Sequence, residues 1–257
     1  SFRLSDAPAL TKDEIVAVLG DAGAQVMIVF LPVGSQKAVE FYAECAIEAG
    51  VALVNGIPVF IASNPVWAAK FQAAGVPCLG DDFKAQLDAT IVNRTLANLA
   101  DMRGVQIDRT YQLNIGGNTD FLNMSEQDRL ASKRESKTEA VQAAMENRLD
   151  TSDIRIGPSD YVPWLNDHKV AYVRLEGRLF GGARTNIELR LDVEDSPNAA
   201  AEALAGIRLA RIALDRGLSG SVDAASAFLF KHPPVQFEDT DAHDMVLAFA
   251  NGDEATA

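Results

Sequence analysis

The sequence predicts an α/β protein in which a parallel sheet comes first and an α+β region follows. Three short apolar runs begin at residues 26, 51 and 76, and a helical pattern follows each of them. Strands that are apolar on both faces and alternate with helices are typical of a parallel sheet covered on both sides. After about residue 108 the runs are longer and alternate between apolar and polar side chains, which indicates antiparallel pairing.

The parallel region contains three strand–helix units. Its strands are VMIVFL (26–31), VALVN (51–55) and VPCLG (76–80). The first helix is expected over 36–49 and ends at Gly50, and the second has Pro65 in its first turn with Ser63 or Asn64 as its cap. The third helix follows Asp81-Asp82 and extends to about residue 100.

The loops that follow these strands share one edge of the sheet, where ligands of such folds bind. These loops are 32–35, 56–58 and 80–84. No GxGxxG motif follows the first strand, so either the chain has no dinucleotide site or the strand that carries the motif precedes residue 1. The opening SFRLSDAPAL lacks an initiator methionine, and we expect that a piece of the natural protein precedes it.

The second region begins with the strand TYQLNI (110–115), which runs into a Gly116-Gly117 turn, and a helix is expected from about 125 to 149. GPSD (157–160) is typical of a turn. VAYVRL (170–175) and TNIELRLDVE (185–194) flank Gly181-Gly182 and predict a half-solvated hairpin. A helix begins at about 195 and ends at Gly217, and we expect the final stretch to be irregular and frayed after about residue 251.

Composition excludes several classes of partner. The formal net charge of −13 argues against nucleic acid and against anionic membranes. No stretch is long and apolar enough to span a bilayer, and no signal peptide opens the chain. Cys45 and Cys78 each lie in an apolar run, a pattern typical of free thiols in a reducing cytoplasm.

Lysines provide the first candidates for chemistry. Lys133 and Lys137 lie one helical turn apart, where like charges repel. Such a pair indicates a solvated charged face, a site for an anion, or a means of bringing one amine closer to neutrality so that it can accept a proton. Lys84, Lys169 and Lys231 lie near the ends of probable strands or apolar runs.

Acidic residues provide the second group. Asp81 and Asp82 either cap the next helix or place a carboxylate at the ligand edge of the sheet. Asn118 and Asp120 either stabilise their turn through side-chain hydrogen bonds or belong to a site. The histidines show no metal-ligand spacing, so we predict no metal site from them; they are His168, His232 and His243.

Several motifs in order resemble one known family. They are LPVGS (31–35), NGIPVFIAS (55–63), AGVP (74–77), GDDFK (80–84), GGNTDFLNM (116–124), SKRESKTEAV (132–141), GPSDYVPWLNDHKVAYVRLEG (157–177), DSPNAA (195–200) and SAFLFKHPP (226–234). Together they are similar to myo-inositol-1-phosphate synthase of the bacterial and archaeal type. The resemblance covers residues from about 26 to 235.

The resemblance implies an NAD-dependent isomerase that converts glucose 6-phosphate to inositol phosphate in inositol and phospholipid biosynthesis. C5 of the sugar is oxidised, an intramolecular aldol step closes the ring, and the same NADH reduces the product. It also implies a Rossmann-type sheet over 1–105, an α+β catalytic and oligomerisation domain over 106–195, and a return helix and tail over 196–257. The assembly would be a cytoplasmic homotetramer.

Site residues are carried over in the same way. The family's active-site lysines fall on Lys133, Lys137, Lys169 and Lys231, and its aspartates fall on Asp82 and Asp120. Lys133 and Lys231 are expected near the reacting oxygens, with Lys137 and Lys169 nearer the phosphate. For the cofactor we expect contacts from Gly34, Ser35, Asp82, Asn118 and Asp120. A divalent or monovalent cation beside the carboxylates is left open.

Two departures from the family pattern affect these expectations. The glycine-rich dinucleotide motif is absent, so this numbering would start partway through the Rossmann domain and the chain alone should bind NAD poorly. The family also continues GDDxK with serine, where this chain has Ala85 and, shortly after it, Asp88. Two alternatives therefore stay open: a simple dehydrogenase acting on another phosphorylated or acidic substrate, and a non-catalytic homologue that forms oligomers.

Overall fold

The computed structural model describes residues 6–124, 138–145 and 147–253. Its helices and strands divide between two sheets and the helices packed on them. They are α1 (Lys12–Asp21), β1 (Val26–Val29), α2 (Gln36–Ala49), β2 (Ala52–Asn55), α3 (Pro65–Ala74), β3 (Pro77–Leu79), α4 (Ala89–Met102), β4 (Gln106–Gly116), α5 (Thr119–Met124), β5 (Ile154–Tyr161), β6 (His168–Arg178), β7 (Arg184–Glu194), α6 (Asp195–Asp215), β8 (Gly220–Ser221), α7 (Asp223–Leu229) and α8 (Asp239–Asn251).

The first sheet is parallel and has the strand order β1-β2-β3-β8. One of its faces is covered by apolar side chains from α2 and α3 and the other by those of α6, α7 and α8. All four residues of β2 are buried, because this central strand has neighbours on both faces. The predicted parallel sheet with two covered faces is therefore confirmed.

In this region α2 ends and α3 begins at the capping residues that the sequence indicates. Gly50 ends α2 in the left-handed conformation, which glycine adopts without a steric penalty. The side chain of Asn64 accepts a hydrogen bond from the backbone N–H of Val66 and so caps α3, and Pro65 occupies its first position.

The second sheet has the strand order β5-β4-β6-β7. β6 pairs antiparallel with both β4 and β7, and β5 is a parallel edge strand beside β4. The predicted hairpin is confirmed, and along β7 half-buried and exposed residues alternate without interruption. An apolar cluster joins this sheet to α4, with Ala97, Val141 and Val173 among its buried members. The α/β fold with an added α+β region is thus confirmed.

Helix α6 connects the two sheets. It begins directly after β7 and then packs across β1, β2 and β3. Ala203, Leu209, Ala210 and Ala213 are its buried apolar residues, and they join the cluster on one face of the first sheet. The start of α6 is consequently fixed to the second sheet, whereas its body is fixed to the first.

Two expectations for individual segments of the second region were wrong. GPSD lies in β5 and does not form a turn; an edge strand accepts proline because one side of it makes no ladder bonds. The helix expected to end near 149 ends at Gln142. The Gln142 side chain accepts a hydrogen bond of 2.9 Å from the backbone N–H of Leu149, which is not helical. The part of that helix from 125 to 137 lies outside the described residues.

The C-terminal stretch is also more regular than the sequence predicted. It forms α7 and α8, because Ala225, Leu229, Val246 and Phe249 are buried against the first sheet. The proline pair at 233–234 lies between these two helices and does not disturb either of them. Among the described residues, none of the helices has the length and apolarity that a membrane span requires.

Candidate active site

A cavity of about 730 Å³ lies at the carboxyl edge of the first sheet and extends to the second. The loops after β1 and β2 form an apolar wall through residues 30–33 and 56–58. The first turns of α6 form another wall with three small side chains, those of Ala199, Ala200 and Ala203. Ligands of open parallel sheets bind at this edge, and the volume is that of a site for a small molecule.

Two glycines bring the 116–120 turn close to its neighbours. A Cβ on Gly116 would lie 2.3 Å from the ring of Phe121, and one on Gly117 would lie 2.5 Å from the backbone nitrogen of Asn166. Neither glycine has a positive φ, so the requirement for glycine here is one of space. Because the turn is packed this closely, Asn118 and Asp120 are held at the wall of the cavity.

Lys169 occupies one end of the cavity and is paired with a carboxylate. Its Nζ contacts Oδ1 of Asp195, and both side chains are largely buried, with 13% and 18% exposed. The other oxygen, Oδ2, accepts a hydrogen bond of 3.1 Å from Nδ2 of Asn118. Register explains this proximity, since Lys169 pairs with Gly116 on one side and with Val193 on the other.

A second carboxylate fixes the start of α6. Asp167 accepts hydrogen bonds from the backbone N–H of Ser196 at 3.0 Å and from its hydroxyl at 2.6 Å. Its backbone carbonyl accepts the N–H of Asp195 at 2.9 Å. These bonds use donors that the first turn of a helix leaves without partners, so they fix the position of the Asp195 carboxylate.

Lys231 lies among carboxylates in the other part of the cavity. Its Nζ donates a hydrogen bond to the backbone carbonyl of Phe83 and lies 3.6 Å from Oδ2 of Asp88 and 3.9 Å from Oδ1 of Asp82. The side chains of Lys231, Asp82 and Asp88 are no more than 8% exposed. Three acceptors within residues 82–88 therefore surround this amine and fix its position in the cavity.

Backbone pairing brings Lys231 to Asp82. The N–H of Lys231 donates to the carbonyl of Asp82 at 2.6 Å, and Asp81 and His232 exchange two hydrogen bonds of 3.0 Å. Asp82 adopts a φ of +63°, which is uncommon for a residue with a side chain but easier for aspartate than for most. These backbone hydrogen bonds therefore hold Lys231 beside Asp82, in addition to the contacts that its side chain makes.

Asp81 is buried behind the site and organises the loop after β2. Its carboxylate accepts hydrogen bonds from the backbone of Ile61, Ala62 and Ser63, from the Ser63 hydroxyl and from the Asn55 amide, at 2.7–3.2 Å. Burial raises the pKa of this carboxyl, and the donated hydrogen bonds oppose that rise. Asp81 and Asp82 thus do not cap the next helix. The cap of α4 is Asp88.

Lys84 is buried but faces away from the cavity. Its Nζ donates to the carbonyl of Ala227 at 2.7 Å and lies 3.5 Å from Oδ1 of Asp239. Burial lowers the pKa of Lys84 to about 8. Arg94, 1% exposed, contacts the other oxygen of Asp239 at 3.0 Å, so this cluster ties α8 to the rest of the fold.

The residues expected from the sequence divide into three groups. Asp82, Asn118, Asp120, Lys169 and Lys231 line the cavity. Gly34 and Ser35 do not line the cavity, although the preceding residue, Val33, does. They lead into α2, which begins at Gln36. Lys133 and Lys137 lie outside the described residues. The roles of all these residues stay predictions.

Sequence reasoning did not assign Asp195 to the site and noted Asp88 only as a departure from the family pattern. The signal for Asp195 was available, since counting the hairpin register back from Gly181-Gly182 places it beside Lys169. Asp88 lies just before a helical run, which is the position of a helix cap. Sequence reasoning considered Asp81 and Asp82, which lie nearer the strand, for that role instead. The amides of Gln112 and Asn114, which also line the cavity, gave no sequence signal.

Comparison with known proteins identifies the family. A family model described as myo-inositol-1-phosphate synthase matches residues 89–196. The inositol-3-phosphate synthase of Mycobacterium tuberculosis is 53% identical over 252 residues, which cover 98% of this chain and 68% of that protein. The chain belongs to the myo-inositol-1-phosphate synthase family. The resemblance inferred from the motifs is thereby confirmed.

Further comparisons are consistent with membership of the myo-inositol-1-phosphate synthase family. The inositol-3-phosphate synthase of Mycolicibacterium smegmatis is 52% identical over 256 residues, covering 98% of this chain and 70% of that protein. Among solved structures, that of Ari2 is 36% identical with a TM-score of 0.75, covering 95% of this chain and 67% of the other. A synthase-related protein from Thermotoga maritima, 24% identical with a TM-score of 0.80 over 94% and 69% of the two chains, shares the fold.

Proposed function

We propose that this protein is an NAD-dependent inositol-3-phosphate synthase that converts glucose 6-phosphate to an inositol phosphate without net oxidation. The observation that carries the proposal is that one cavity is lined by two carboxylate-paired lysines, Lys231, which is buried, and Lys169, which is largely buried. Relatives about half identical to this chain bear the name of that activity, which supports the reaction class.

The lysines suit the chemistry of ring closure. An enolate and an alkoxide must form and collapse during an aldol reaction, and fixed ammonium groups in a site of low dielectric stabilise such oxyanions. Nζ of Lys231 is held by the Phe83 carbonyl and two carboxylates, so it would donate to a reacting oxygen from a fixed position. Lys169, held by Asp195, would act toward the phosphate, with Lys133 and Lys137 completing the set.

The cavity also fits the reactive end of the cofactor. Its apolar wall over 30–33 and 56–58 would hold a nicotinamide ring. A Cβ at Gly56 would lie 2.7 Å from the Phe83 ring, so the glycine allows this wall to pack closely against Phe83. When bound, NAD supplies reversible oxidation of a sugar carbon. Asp82, Asn118 and Asp120 would hold hydroxyl or amide groups nearby.

We also propose the division of the chain into residues 1–105, 106–195 and 196–257. The first sheet draws three of its strands from the first part, and the second sheet lies entirely within the second part. Packing of α6 on β1, β2 and β3 supports the return of the third part to the first. A homotetramer is proposed from family membership alone, and sedimentation at several concentrations would test it.

The test of the function uses the full natural polypeptide with glucose 6-phosphate and NAD, followed by phosphorus NMR and by NADH absorbance. We expect a new inositol phosphate resonance with no net NADH. Accumulation of NADH without a cyclised product would instead identify a dehydrogenase. No change in either signal, with NAD shown to bind, would contradict the proposed substrate.

Two lysine variants and a control sharpen this test. Lys231→Met and Lys169→Met remove the fixed ammonium groups and should each lower kcat by at least about 100-fold, the usual effect of losing one charge-stabilising donor. Lys70→Met is the matched control, because Lys70 lies on α3 outside the cavity with 47% of its side chain exposed. It should turn over like the wild type.

A further inference from the structure

Helix α6 begins at the wall of the cavity, and a residue from outside the helix caps it. The side chain of Glu194, which occupies the cap position, makes no capping hydrogen bond. Asp167, just before β6, takes this role instead, because its carboxylate accepts the backbone N–H and the hydroxyl of Ser196 at 3.0 and 2.6 Å. Ser196 and Asp195 line the cavity, whereas Asp167 does not. The Asp167 carboxylate can therefore act on a bound ligand through the residues that it holds.

Asn118 links the same carboxylate to the 116–120 turn. Its amide nitrogen, Nδ2, lies 3.4 Å from Oδ1 of Asp167 and 3.1 Å from Oδ2 of Asp195. An amide nitrogen has two hydrogens, so one is available for each carboxylate. The amide oxygen accepts the backbone N–H of Phe121 at 3.2 Å, which fixes which end of the amide faces the carboxylates. One neutral side chain therefore bridges two carboxylates that come from different segments of the chain.

These contacts lead to the ammonium of Lys169. Its Nζ contacts Oδ1 of Asp195, while the other oxygen of that carboxylate accepts the bond from Asn118. The four-carbon stem of a lysine is flexible and does not by itself determine where the ammonium lies. Asp167 is two residues before Lys169, and its backbone carbonyl accepts the N–H of Asp195 at 2.9 Å. The segment that carries the lysine thus also holds the carboxylate that directs it.

We propose that Asp167 is a positioning residue for the phosphate of the substrate. It acts through Asn118 and the first turn of α6 to hold the Asp195 carboxylate against Lys169, and so fixes the direction from which the ammonium reaches the phosphate. The proposal rests on the proposed function in placing a sugar phosphate at Lys169. It goes further by assigning the geometry of that contact to a residue that does not line the cavity.

The experiment measures the Kd for glucose 6-phosphate and for glucose by calorimetry, in the full natural polypeptide with NAD present. The two ligands differ by the phosphate, so the ratio of their Kd values reports the contact that the phosphate makes. Asp167→Ala should weaken binding of glucose 6-phosphate by about tenfold, the usual effect of losing one charge-assisted hydrogen bond, and binding of glucose by less than about twofold. Asp167→Asn keeps one of the two accepting oxygens, so its loss should be intermediate, and it carries the test if the alanine variant does not fold.

A double-mutant cycle tests whether the effect passes through the lysine. In a Lys169→Met background no ammonium remains to be directed at this position, so adding Asp167→Ala should change the Kd for glucose 6-phosphate by less than about twofold. Residues that act independently would show the same loss in both backgrounds.

Thr11→Ala is the matched control for the loss of a helix cap. The hydroxyl of Thr11 accepts the backbone N–H of Glu14 at 3.3 Å and so caps α1, and neither residue lines the cavity. This variant should lower the melting temperature through the lost cap and leave the affinities for glucose 6-phosphate and glucose unchanged.

The outcomes separate this proposal from the proposed function. Unchanged binding of glucose 6-phosphate in Asp167→Ala overturns the positioning role, even if the wild type makes inositol phosphate. Equal weakening of glucose and glucose 6-phosphate, or a loss that persists in the Lys169→Met background, would show a general change of the cavity and would also overturn it. A loss that is confined to glucose 6-phosphate and depends on Lys169, in a protein that makes no inositol phosphate, supports the role of Asp167 and counts against the proposed function.

Discussion

Gly117 offers the sharpest test of how the site is positioned. A Cβ at this residue would lie 2.5 Å from the backbone nitrogen of Asn166, 2.7 Å from the carbonyl oxygen of Val162 and 2.8 Å from that of Asn166. Ordinary Cβ contacts begin at 3.4 Å, so Gly117→Ala requires a backbone movement of about 1 Å. All three contacts are to backbone atoms, which have no alternative rotamer to adopt.

The expected cost follows from this overpacking. We expect Gly117→Ala to lower the free energy of unfolding by about 2–3 kcal/mol, the upper part of the range for added methyl groups in packed regions. In a chain of this size that lowers the melting temperature by about 4–12 °C. Because Asn118 follows directly and lines the cavity, a displacement of this size should also lower kcat by about 100-fold.

Thermal melts followed by circular dichroism, together with the phosphorus NMR assay, measure both effects. Gly20→Ala is the matched control, since Gly20 lies in α1 with no atom within 4 Å of an added Cβ. It should stabilise the protein by about 0.5 kcal/mol through the helix propensity of alanine. A Gly117→Ala variant that melts with the wild type and turns over normally would refute the steric reasoning.

Three further predictions concern buried polar groups. The pKa of Lys84 is about 8 in the folded protein and 10.5 when the amine is exposed, so between these pH values the unfolded chain binds more protons than the folded one. The free energy of unfolding should therefore rise with pH across this window. Urea midpoints should show the rise, and Lys84→Met should flatten it. Asp81→Asn places an NH₂ group against N–H donors and should cost about 3 kcal/mol by urea unfolding; an unchanged midpoint would argue against this network. Arg94→Met removes a buried guanidinium that donates to Asp239 and to the backbone carbonyl of Phe237, so it should cost about 3 kcal/mol, whereas a loss below about 1 kcal/mol would mean that water replaces these contacts.

The extent to which the fold could be predicted depended on local signals. The bounds of α2 follow from an apolar pattern that ends at Gly50, and the hairpin follows from strict alternation around Gly181-Gly182. GPSD was assigned to a turn because its residues favour turns, and only the edge position of β5 in the finished sheet makes them acceptable in a strand. Strand order is a tertiary property that local signals do not encode.

The site was predictable only in part of its members and not in its pairings. Motif resemblance indicated Lys169, Lys231 and Asp82, but it did not indicate Asp195 or pair Asp88 with Lys231. Asp195 reaches Lys169 through hairpin register, and Asp88 reaches Lys231 through the docking of a segment far along the chain. Buried ion pairs of this kind depend on which segments finally pack together, and the composition of each segment alone does not determine that.

The bond from Lys231 to the carbonyl of Phe83 also has a meaning for synthesis of the chain. Its partners are 148 residues apart, so a ribosome that has already released β1, β2 and β3 has still not produced the lysine. Until then the acidic residues at 82 and 88 lack this counter-charge. Domains fold from the N-terminus as they emerge, and completion of this pocket therefore waits until the strands of both sheets, including β8, have been made. The lysine then reaches its acceptor only when this late segment docks on strands that were made long before it.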